Sequence, residues 1–481
     1  MATEKFKQSL GLLDGTMLVA GAMIGSGIFI VSADISRNVG SAGWLLLIWI
    51  LTGVITLTAA LSYGELSGMY PKAGGQYVYL REAYNPLVGF LYGWSFFAVI
   101  QTGSIAAVGV AFSKFAAYIF PSLSEQNILA DLGFVKISAA QVTSILMICL
   151  LTYINTLGVK QGKIIQTTFT ITKIAALVGL VVFGLIFGAD KNIWNANWST
   201  GFALNKLSTT GVSNYAGFAV MGAIAASMVG SLFSSDSWNN VTFIAGEIKR
   251  PERNIGLSLL LGTLIVTSIY VIVNLVYLAV LPLNEIAFAE NDRVAVVASH
   301  NIFGTSGTYI IAIMIMISTF GCDNGLILAG ARVYYTMAKD KLFFRQVGVL
   351  NKNAVPATAL WIQCVWASAL CLSGRYGDLL DYVIFVVLIF YILTIIGIFR
   401  LRKKQPNLPR PYKAFGYPVL PALYVLFAST ICVALFVYKP TYTWPGLGIV
   451  LLGVPLYYIA MGRQKKATAV AQHIVEEKIS S

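Results

Sequence analysis

The sequence predicts an all-α integral membrane protein of twelve transmembrane helices, and composition and repeated apolar runs are the observations behind this prediction. Of the 481 residues, 57% are hydrophobic and only 11% are charged. A soluble domain of this length does not have such a composition. About 20 apolar residues cross the hydrocarbon core of a bilayer, and runs of that length recur along the whole chain. Because many similar runs follow the first one, that run is not expected to be a cleaved signal peptide.

Twelve apolar segments are long enough to span a membrane. They lie at about 11–36, 42–69, 87–119, 138–157, 163–188, 213–246, 257–281, 307–337, 355–373, 379–400, 417–437 and 444–461. The first, sixth and eighth segments are longer than a crossing requires or are interrupted. The predicted organisation is 1–200 for spans 1–5, 201–405 for spans 6–10, 406–462 for spans 11 and 12, and 463–481 for a cytoplasmic tail.

The basic residues are distributed unevenly over the predicted loops. Of the 33 Lys and Arg residues, eight fall on outer loops or outer helix ends if the N-terminus lies inside. These eight are Arg37, Lys114, Lys136, Lys191, Lys206, Arg293, Arg375 and Lys439. This positive-inside asymmetry places both termini in the cytoplasm. It also accounts for the net charge of +13 without a nucleic-acid partner.

The number and spacing of histidines, cysteines and catalytic motifs argue against several classes of protein. Only two histidines are present, His300 and His473, so neither a metal site nor a cofactor is expected. Neither a GxxxxGK[ST] phosphate loop nor a GxSxG nucleophile motif occurs, so the sequence indicates no enzyme of those classes. The cysteines lie in or beside apolar runs, without metal-binding spacing, at Cys149, Cys322, Cys364, Cys371 and Cys432. A secondary transporter is the class that these observations favour.

The first span is broken in its middle. Within "VAGAMIGSGIFIVSADIS" (19–36), Gly25, Ser26 and Gly27 interrupt the apolar run. Glycine costs roughly 1 kcal/mol relative to alanine inside a helix. An opened helix exposes N–H groups that suit a carboxylate, and C=O groups that suit an ammonium. The alternative interpretation is close helix packing through small residues.

The sixth span carries a second break. Ser234, Ser235, Asp236 and Ser237 interrupt the apolar segment 228–254. Spans 1 and 6 would each open a half of five spans, which predicts a five-plus-five inverted repeat with discontinuous helices 1 and 6. Because the half-helices of such a repeat meet at the midplane, the paired breaks favour a substrate site for an α-amino acid.

Four ordered motifs carry a resemblance to a known family. They are "GAMIGSGIF" (21–29), "YPKAGGQYVYLREAYNPLVGFLYGW" (70–94), "GEIKRPERNI" (246–255) and "DNGLILAGARVYYTMAKDKLF" (323–343). The chain resembles the amino acid–polyamine–organocation superfamily along almost its whole length, and most of all the L-type amino acid transporter branch. The resemblance implies the leucine-transporter-like fold, with two further helices at the C-terminal end, and a sodium-independent amino acid carrier.

The resemblance also implies a substrate site. It places the carboxylate site on Gly25, Ser26 and Gly27, and the amine site on the backbone carbonyls of Met23, Phe233 and Asp236. Phe233 also matches an aromatic gate, although simple packing is the alternative. Ser104 and Asn239 match positions near the side-chain pocket, and Ser104 has the alternative of bonding to its own helix. Ser234 joins this set as the first residue of the polar run.

Lys173 is predicted to lie near the bilayer centre. It stands ten residues beyond Lys163, or roughly 15 Å along a helix that starts at the inner face. A charge at that depth is costly and usually functional, and a snorkelling lysine would need a nearer interface. In the resembling family a lysine here stands where sodium-coupled relatives hold sodium. We expect it to bridge span 5 to spans 1 and 8, with Ser318 and Thr319 as partners.

Two acids depart from the pattern of the family. Asp236 stands where the L-type branch usually has glycine, and Asp323 stands within span 8 where an apolar residue is usual. Three interpretations remain open: the acids balance Lys173, one holds a substrate ammonium or cationic side chain, or one carries a coupled proton.

One outer loop bears on partners. Animal members of the branch join a single-span glycoprotein through a cysteine between spans 3 and 4, and segment 120–136 contains no cysteine. No disulfide-linked heavy-chain partner is therefore expected, and a prokaryotic inner membrane is the expected location. The predicted function is sodium-independent exchange of neutral amino acids. The alternatives are a proton-coupled or cationic amino acid or polyamine carrier, and a nutrient receptor that does not transport.

Overall fold

The structure is a computed structural model that describes residues 8–131, 133, 136–217, 219–373 and 376–480. It describes the backbone alone for residues 159–161, 163, 373, 376–378 and 463–480. Three predictions lie outside the fully described residues: the outer position of Arg375, the inner position of the Lys163 side chain, and the cytoplasmic tail at 463–481.

The first half of the chain forms nine helices within the described residues. They are α1 (Leu12–Met23), α2 (Gly27–Val39), α3 (Ala42–Met69), α4 (Gln76–Ala83), α5 (Pro86–Ser95), α6 (Gln101–Ile119), α7 (Ala139–Thr156), α8 (Val159–Phe183) and α9 (Lys191–Trp198). A π-helical turn at Phe96–Ile100 joins α5 to α6, and a second one at Gly184–Gly188 extends α8. Pro86 occupies the first turn of α5, where its missing N–H costs nothing, and Asn85 caps that helix.

The second half of the chain is also mainly helical. Its helices are α10 (Ala219–Ser234), α11 (Asn240–Phe243), α12 (Pro251–Val280), α13 (Leu283–Ala287), α14 (Val294–Lys339), α15 (Ala357–Ser373), α16 (Tyr376–Lys404), α17 (Val419–Tyr438) and α18 (Pro440–Ser480). The predicted break in span 6 is observed, because α10 ends at Ser234 and α11 begins only at Asn240.

The protein is a multi-pass membrane protein. Among the described residues, nine helices are long and apolar enough to cross a membrane, and α1 with α2 passes the same test as a pair bent by 41°. The helices α10 and α15 are shorter but also apolar. Large hydrophobic side chains such as Leu146, Leu150 and Val365 are half exposed or more, as expected of a surface that faces lipid.

Two departures from the predicted helices concern the connections. The antiparallel hairpins β1 (Ile128–Asp131) with β2 (Lys136–Ser138), and β3 (Asn205–Ser208) with β4 (Gly211–Asn214), interrupt the all-helical chain. The second hairpin occupies the predicted start of span 6 at 213, so helix α10 starts later. Helix α14 starts earlier than the predicted 307 and bends at Gly304, whose φ of 68° and ψ of −161° are not helical.

Small residues let the helices around the two breaks approach closely. Gly64 on α3 and Gly256 on α12 face each other, so that a Cβ at Gly256 would lie 3.7 Å from the Gly64 Cα. Gly262 on α12 similarly accommodates Val19 of α1. In lipid, where apolar surface alone does not drive helix association, such close packing is a main source of attraction between helices. Helix α12 is thereby held against both α1 and α3.

Candidate functional site

The two broken helices meet at their breaks. The chain leaves α1 at Met23 and enters α2 at Gly27, and the last residue of α10 is Ser234. A Cβ on Gly27 would overlap the Ser234 side chain, so only glycine fits at this crossing. The first N–H groups of a helix lack acceptors within that helix, and so do the last C=O groups. The crossing therefore brings the start of one half-helix and the ends of two others to one place.

A small cavity lies at this crossing, and we name it the break cavity. Seven predicted site residues line it together: Met23, Gly25, Ser26, Gly27, Ser104, Phe233 and Ser234. Cys322 of α14 closes one side, where a Cβ on Gly25 would lie 3.1 Å from its Sγ. Ser104 lines the cavity and also donates its hydroxyl to the Ile100 carbonyl at 2.8 Å, which is the bond to its own helix that the sequence left open.

Asp236 and Asn239 are not in that set. They line a small neighbouring cavity together with Gln76, Gln101 and Asn240, and we name it the amide cavity. Ser237 lines both cavities, so they adjoin each other. Its φ of 65° turns the chain sharply between α10 and α11.

The amide cavity is held rigid by side-chain hydrogen bonds. Gln76 reaches in from α4, where its Nε2 donates to Thr394 at 3.0 Å and its Oε1 accepts from Asn239 at 2.9 Å. Tyr391 on α16 donates its hydroxyl to Asp236 Oδ1 at 2.6 Å. Helices α4, α11 and α16 thus share one polar network beside the break cavity.

Lys173 on α8 is fully buried and all of its bonds go to backbone carbonyls. Its Nζ donates to Gly21 at 2.7 Å, to Ile24 at 2.5 Å and to Ser318 at 3.2 Å. An ammonium has three N–H donors, so every one of them has a partner. The side chain therefore joins α8 to the break in α1 and to α14. Thr319 takes no part, because its hydroxyl donates within α14 to Ile315 and Met316.

Asp323 stands apart from every other charged group of the site. Its side chain is fully buried, and neither carboxylate oxygen has a hydrogen-bond partner among the described residues. The neighbouring Cys322 points the other way, and its Sγ donates to the Ala22 carbonyl at 3.0 Å. Asp323 is therefore not observed in contact with Lys173.

A row of polar residues on α12 was not anticipated from the sequence. The Tyr270 hydroxyl lies 3.0 Å from the carbonyls of both Met23 and Ser234, the final residues of α1 and α10. Asn274 accepts a 2.6 Å bond from Ser32, and the Tyr277 hydroxyl donates to the Ile28 carbonyl at 3.3 Å. The spacing of residues 270, 274 and 277 places them on one helix face. Polar residues at that spacing in an apolar span are the signal that would have found them.

The two ends of the bundle differ in their packing. We call the end of the bundle where the chain begins the N-terminal end. There the backbone N–H groups of Ser9 and Leu10 donate to the Glu247 carbonyl. There Arg332 donates to Glu247 at 3.0 Å, with both side chains at most 1% exposed. Burial, followed by the neighbouring Asp340 carboxylate, raises the pKa of Tyr77 at this end, so its hydroxyl remains a donor to that carboxylate. A buried ion pair and a buried tyrosine therefore hold the helices together at the N-terminal end.

At the opposite end the bundle is open. A cavity of about 460 Å³ is lined by Asp34, Arg37, Lys114, Asp381 and Lys439. The pair of Arg37 with Asp292, at 2.6 Å, has side chains 28% and 36% exposed. Exposed pairs of this kind contribute little to stability. This end therefore presents a cavity lined by partly exposed charged side chains.

The fold and the site together define a membrane transporter and not an enzyme. Broken helices that cross at a central cavity are the arrangement in which such proteins hold small polar ligands. The family model described as amino acid permease matches residues 10–459. The chain belongs to that family, and the resemblance to the amino acid–polyamine–organocation superfamily is confirmed.

Relatives cover nearly the whole chain. It is 28% identical to the b(0,+)-type amino acid transporter 1 of Homo sapiens, over 95% of this chain and 88% of that protein. It is 29% identical to the serine/threonine exchanger SteT of Bacillus subtilis (strain 168), over 94% of this chain and 96% of that protein. It is 27% identical to the large neutral amino acids transporter small subunit 2 of Mus musculus, over 96% of this chain and 82% of that protein.

Proposed function

We propose that this protein is a sodium-independent amino acid carrier that exchanges neutral amino acids by alternating access. The observation that carries the proposal is the crossing of Gly27 with Ser234, which gathers backbone donors and acceptors around one cavity. The printed names of the relatives, which are transporters or exchangers of amino acids, support the same class of substrate.

An α-amino acid fits the polarity of the break cavity. Its carboxylate would face the N–H groups at the start of α2, where the helix dipole also favours a negative charge. Its ammonium would face carbonyls that end the first half-helices, including those of Met23 and Phe233. The Tyr270 hydroxyl already bonds at Met23, so it would hold this carbonyl in position for the ammonium.

The bonding of Lys173 supports sodium independence. Its ammonium supplies one positive charge to the carbonyls of Gly21, Ile24 and Ser318, between α1 and α14. A cation bound there would compete for the same three oxygens and would be repelled by the ammonium. A carrier with a fixed ammonium at this place therefore needs no dissolved cation to hold α1 against α14.

Alternating access accounts for the difference between the two ends. If the termini are cytoplasmic, as the distribution of basic residues predicts, the cavity lined by charged side chains would face the outside and the buried ion pair of Arg332 with Glu247 would face the inside. Ten spans, counting α1 with α2 as one, together with α10 followed by α11 and with α15, would give the twelve spans of a five-plus-five repeat and two further helices. A single chain would suffice for transport, since the loop at 120–136 contains no cysteine for a heavy chain.

The test is exchange in sodium-free proteoliposomes that contain the purified protein. Vesicles loaded with unlabelled neutral amino acids should take up labelled amino acid at least tenfold faster than empty vesicles. Equal uptake by loaded and empty vesicles would overturn exchange, and a requirement for sodium would overturn the role of Lys173. Binding without uptake would indicate the nutrient receptor instead.

The second candidate is a proton-coupled or cationic amino acid or polyamine carrier. Asp236 favours it, because this carboxylate lines the amide cavity beside the predicted site. Under that function, an inward proton gradient would drive uptake into empty vesicles, or lysine and a polyamine would exchange better than neutral amino acids. Asp236→Asn would then abolish the proton drive or the preference for cations.

A further inference from the structure

The amide cavity contains a side chain whose hydrogen-bonding groups the protein does not use. Asn240 is 1% exposed and lines this cavity. Its Nδ2 has no partner, and none of the described residues accepts from or donates to its side-chain amide. An unpaired amide buried in a protein is costly, and natural structures usually pair such groups. A buried amide that faces a cavity is therefore suited to a ligand.

The neighbours of Asn240 are bonded to one another. Gln76 uses both ends of its amide, on Thr394 and on Asn239, and Tyr391 occupies Asp236 Oδ1. Gln101 donates its Nε2 to the Leu326 carbonyl at 2.7 Å. These bonds fix the wall of the cavity. The amide of Asn240 remains as a matched donor and acceptor on that wall.

The chemistry of an unused amide selects its ligand. A carboxamide offers one acceptor and two donors, so it can form two hydrogen bonds with Asn240 at once. An ammonium or guanidinium has donors only and would leave the Asn240 donor unpaired. A carboxylate has acceptors only and would meet the like charge of Asp236 in the same cavity. An aliphatic side chain would leave both groups unpaired.

The cavity also lies where a substrate side chain would extend. Ser237 lines both the amide cavity and the break cavity, so the amide cavity adjoins the place where a ligand held at the break would lie. Tyr92, Phe96 and Val387 add apolar surface along the walls, which suits the methylene groups before a terminal amide.

We propose that the amide cavity is a side-chain subsite for carboxamides, and that Asn240 makes this carrier selective for glutamine and asparagine. The proposal rests on the proposed function, because it takes amino acid transport as given and names the side-chain class. It assigns Asn240 direct contact with the substrate.

The experiment is competition in exchange by proteoliposomes. Labelled glutamine uptake is measured against unlabelled glutamine, methionine, glutamate and lysine, which resemble one another in length and differ in the end group. Glutamine should compete at least tenfold better than each of the other three, since a site built to hydrogen-bond a group rejects analogues that lack it. Asn240→Leu should reduce that preference at least tenfold and improve competition by methionine. Asn195→Leu, at an exposed position on α9, is the matched control and should leave the order unchanged.

A second variant covers the case in which Asn240→Leu does not fold. Asn240→Asp keeps the size and removes the donors, and it should shift the preference from glutamine towards lysine. The proposal is overturned if the wild-type protein exchanges amino acids but methionine or lysine competes as well as glutamine, or if both folded variants keep the glutamine preference. If the wild-type protein exchanges no amino acid from a complete set, the proposed function itself has failed, which is a different result.

Discussion

Lys173 and Asp323 are both ionisable, fully buried and placed in membrane helices, but their surroundings are opposite. The Lys173 ammonium has a carbonyl for each of its three donors, on α1 and on α14. The Asp323 carboxylate has no hydrogen-bond partner among the described residues. A buried polar group stabilises a fold only when it is paired, and otherwise its desolvation is uncompensated. The Lys173 ammonium therefore stabilises the packing of its helices, whereas the Asp323 carboxylate adds an uncompensated desolvation cost.

The comparison shows that the contacts of a charged residue within a span must be known before a function is assigned to that residue. Both residues stand out in the sequence, since charges within spans are few and usually functional. The contacts separate them, because one joins three helices and the other joins none that the structure describes. Substitution should therefore have a large effect at Lys173 and a small one at Asp323.

Lys173→Met is expected to have the largest effect. It leaves the carbonyls of Gly21, Ile24 and Ser318 without their shared donor in a site that water does not reach. Each buried acceptor left unpaired costs about 1–3 kcal/mol, so α1 should loosen at its break. We expect exchange to fall at least a hundredfold while the protein still inserts, measured by uptake and by surface labelling. Lys191→Met, on an exposed residue of α9, is the control. Wild-type exchange by the Lys173 variant would refute this account.

Glu65→Gln should have an intermediate effect that falls on stability more than on selectivity. This carboxylate is fully buried at the N-terminal end, where it accepts from Arg402 at 2.7 and 3.0 Å and from the Ala414 amide at 2.7 Å. Breaking a buried pair by removing one charge costs roughly 3 kcal/mol. Thermal unfolding in detergent should therefore begin at a lower temperature, while the order of competing amino acids stays the same.

The matched control for that variant is Glu285→Gln, because Glu285 is exposed. Its unfolding temperature should stay close to that of the wild-type protein. An unchanged unfolding temperature for Glu65→Gln would mean that the N-terminal end is not held by this cluster. A reordering of the competing substrates would instead mean that the cluster reaches the substrate site.

The breaks were predictable from the sequence because they violate local rules. Glycine and a run of serines are costly in the middle of a span. The breaks at Gly25, Gly27 and Ser234 can therefore be recognised from the sequence without tertiary information. The membrane class and the family followed from composition and ordered motifs. The burial of Lys173 could be expected from residue count, because depth along a helix follows from it, whereas the bridge to α1 and α14 was expected from the family resemblance alone.

The remaining parts of the site depend on contacts between distant segments. In the sequence, Asn240 is an ordinary polar residue that follows the break. Only the structure shows that Gln76 pairs with Asn239 and that the side-chain amide of Asn240 has no hydrogen-bond partner among the described residues. Gln76 itself comes from α4, a helix too short to be predicted from apolar periodicity. The bonds of Thr319 within its own helix and the lack of a hydrogen-bond partner for Asp323 among the described residues could not be predicted either, since a helical position fixes depth but not the neighbouring helix.

Asp323→Leu should have the smallest effect on transport and stability. Replacing an unpaired buried carboxylate by an apolar side chain of similar size removes a desolvation cost and breaks no observed bond. Exchange should stay within about twofold of wild type, and the free energy of unfolding should stay the same or rise by about 1 kcal/mol. Asp323→Asn should behave similarly, although its amide remains unpaired. The pH profile of exchange decides between this view and a proton carrier, because a carrier carboxylate must gain and lose a proton in each cycle. Suppose that either variant loses proton-driven uptake that the wild-type protein shows. Asp323 would then have a partner in another state of the transport cycle, and its contrast with Lys173 would hold only for the state described by this structure.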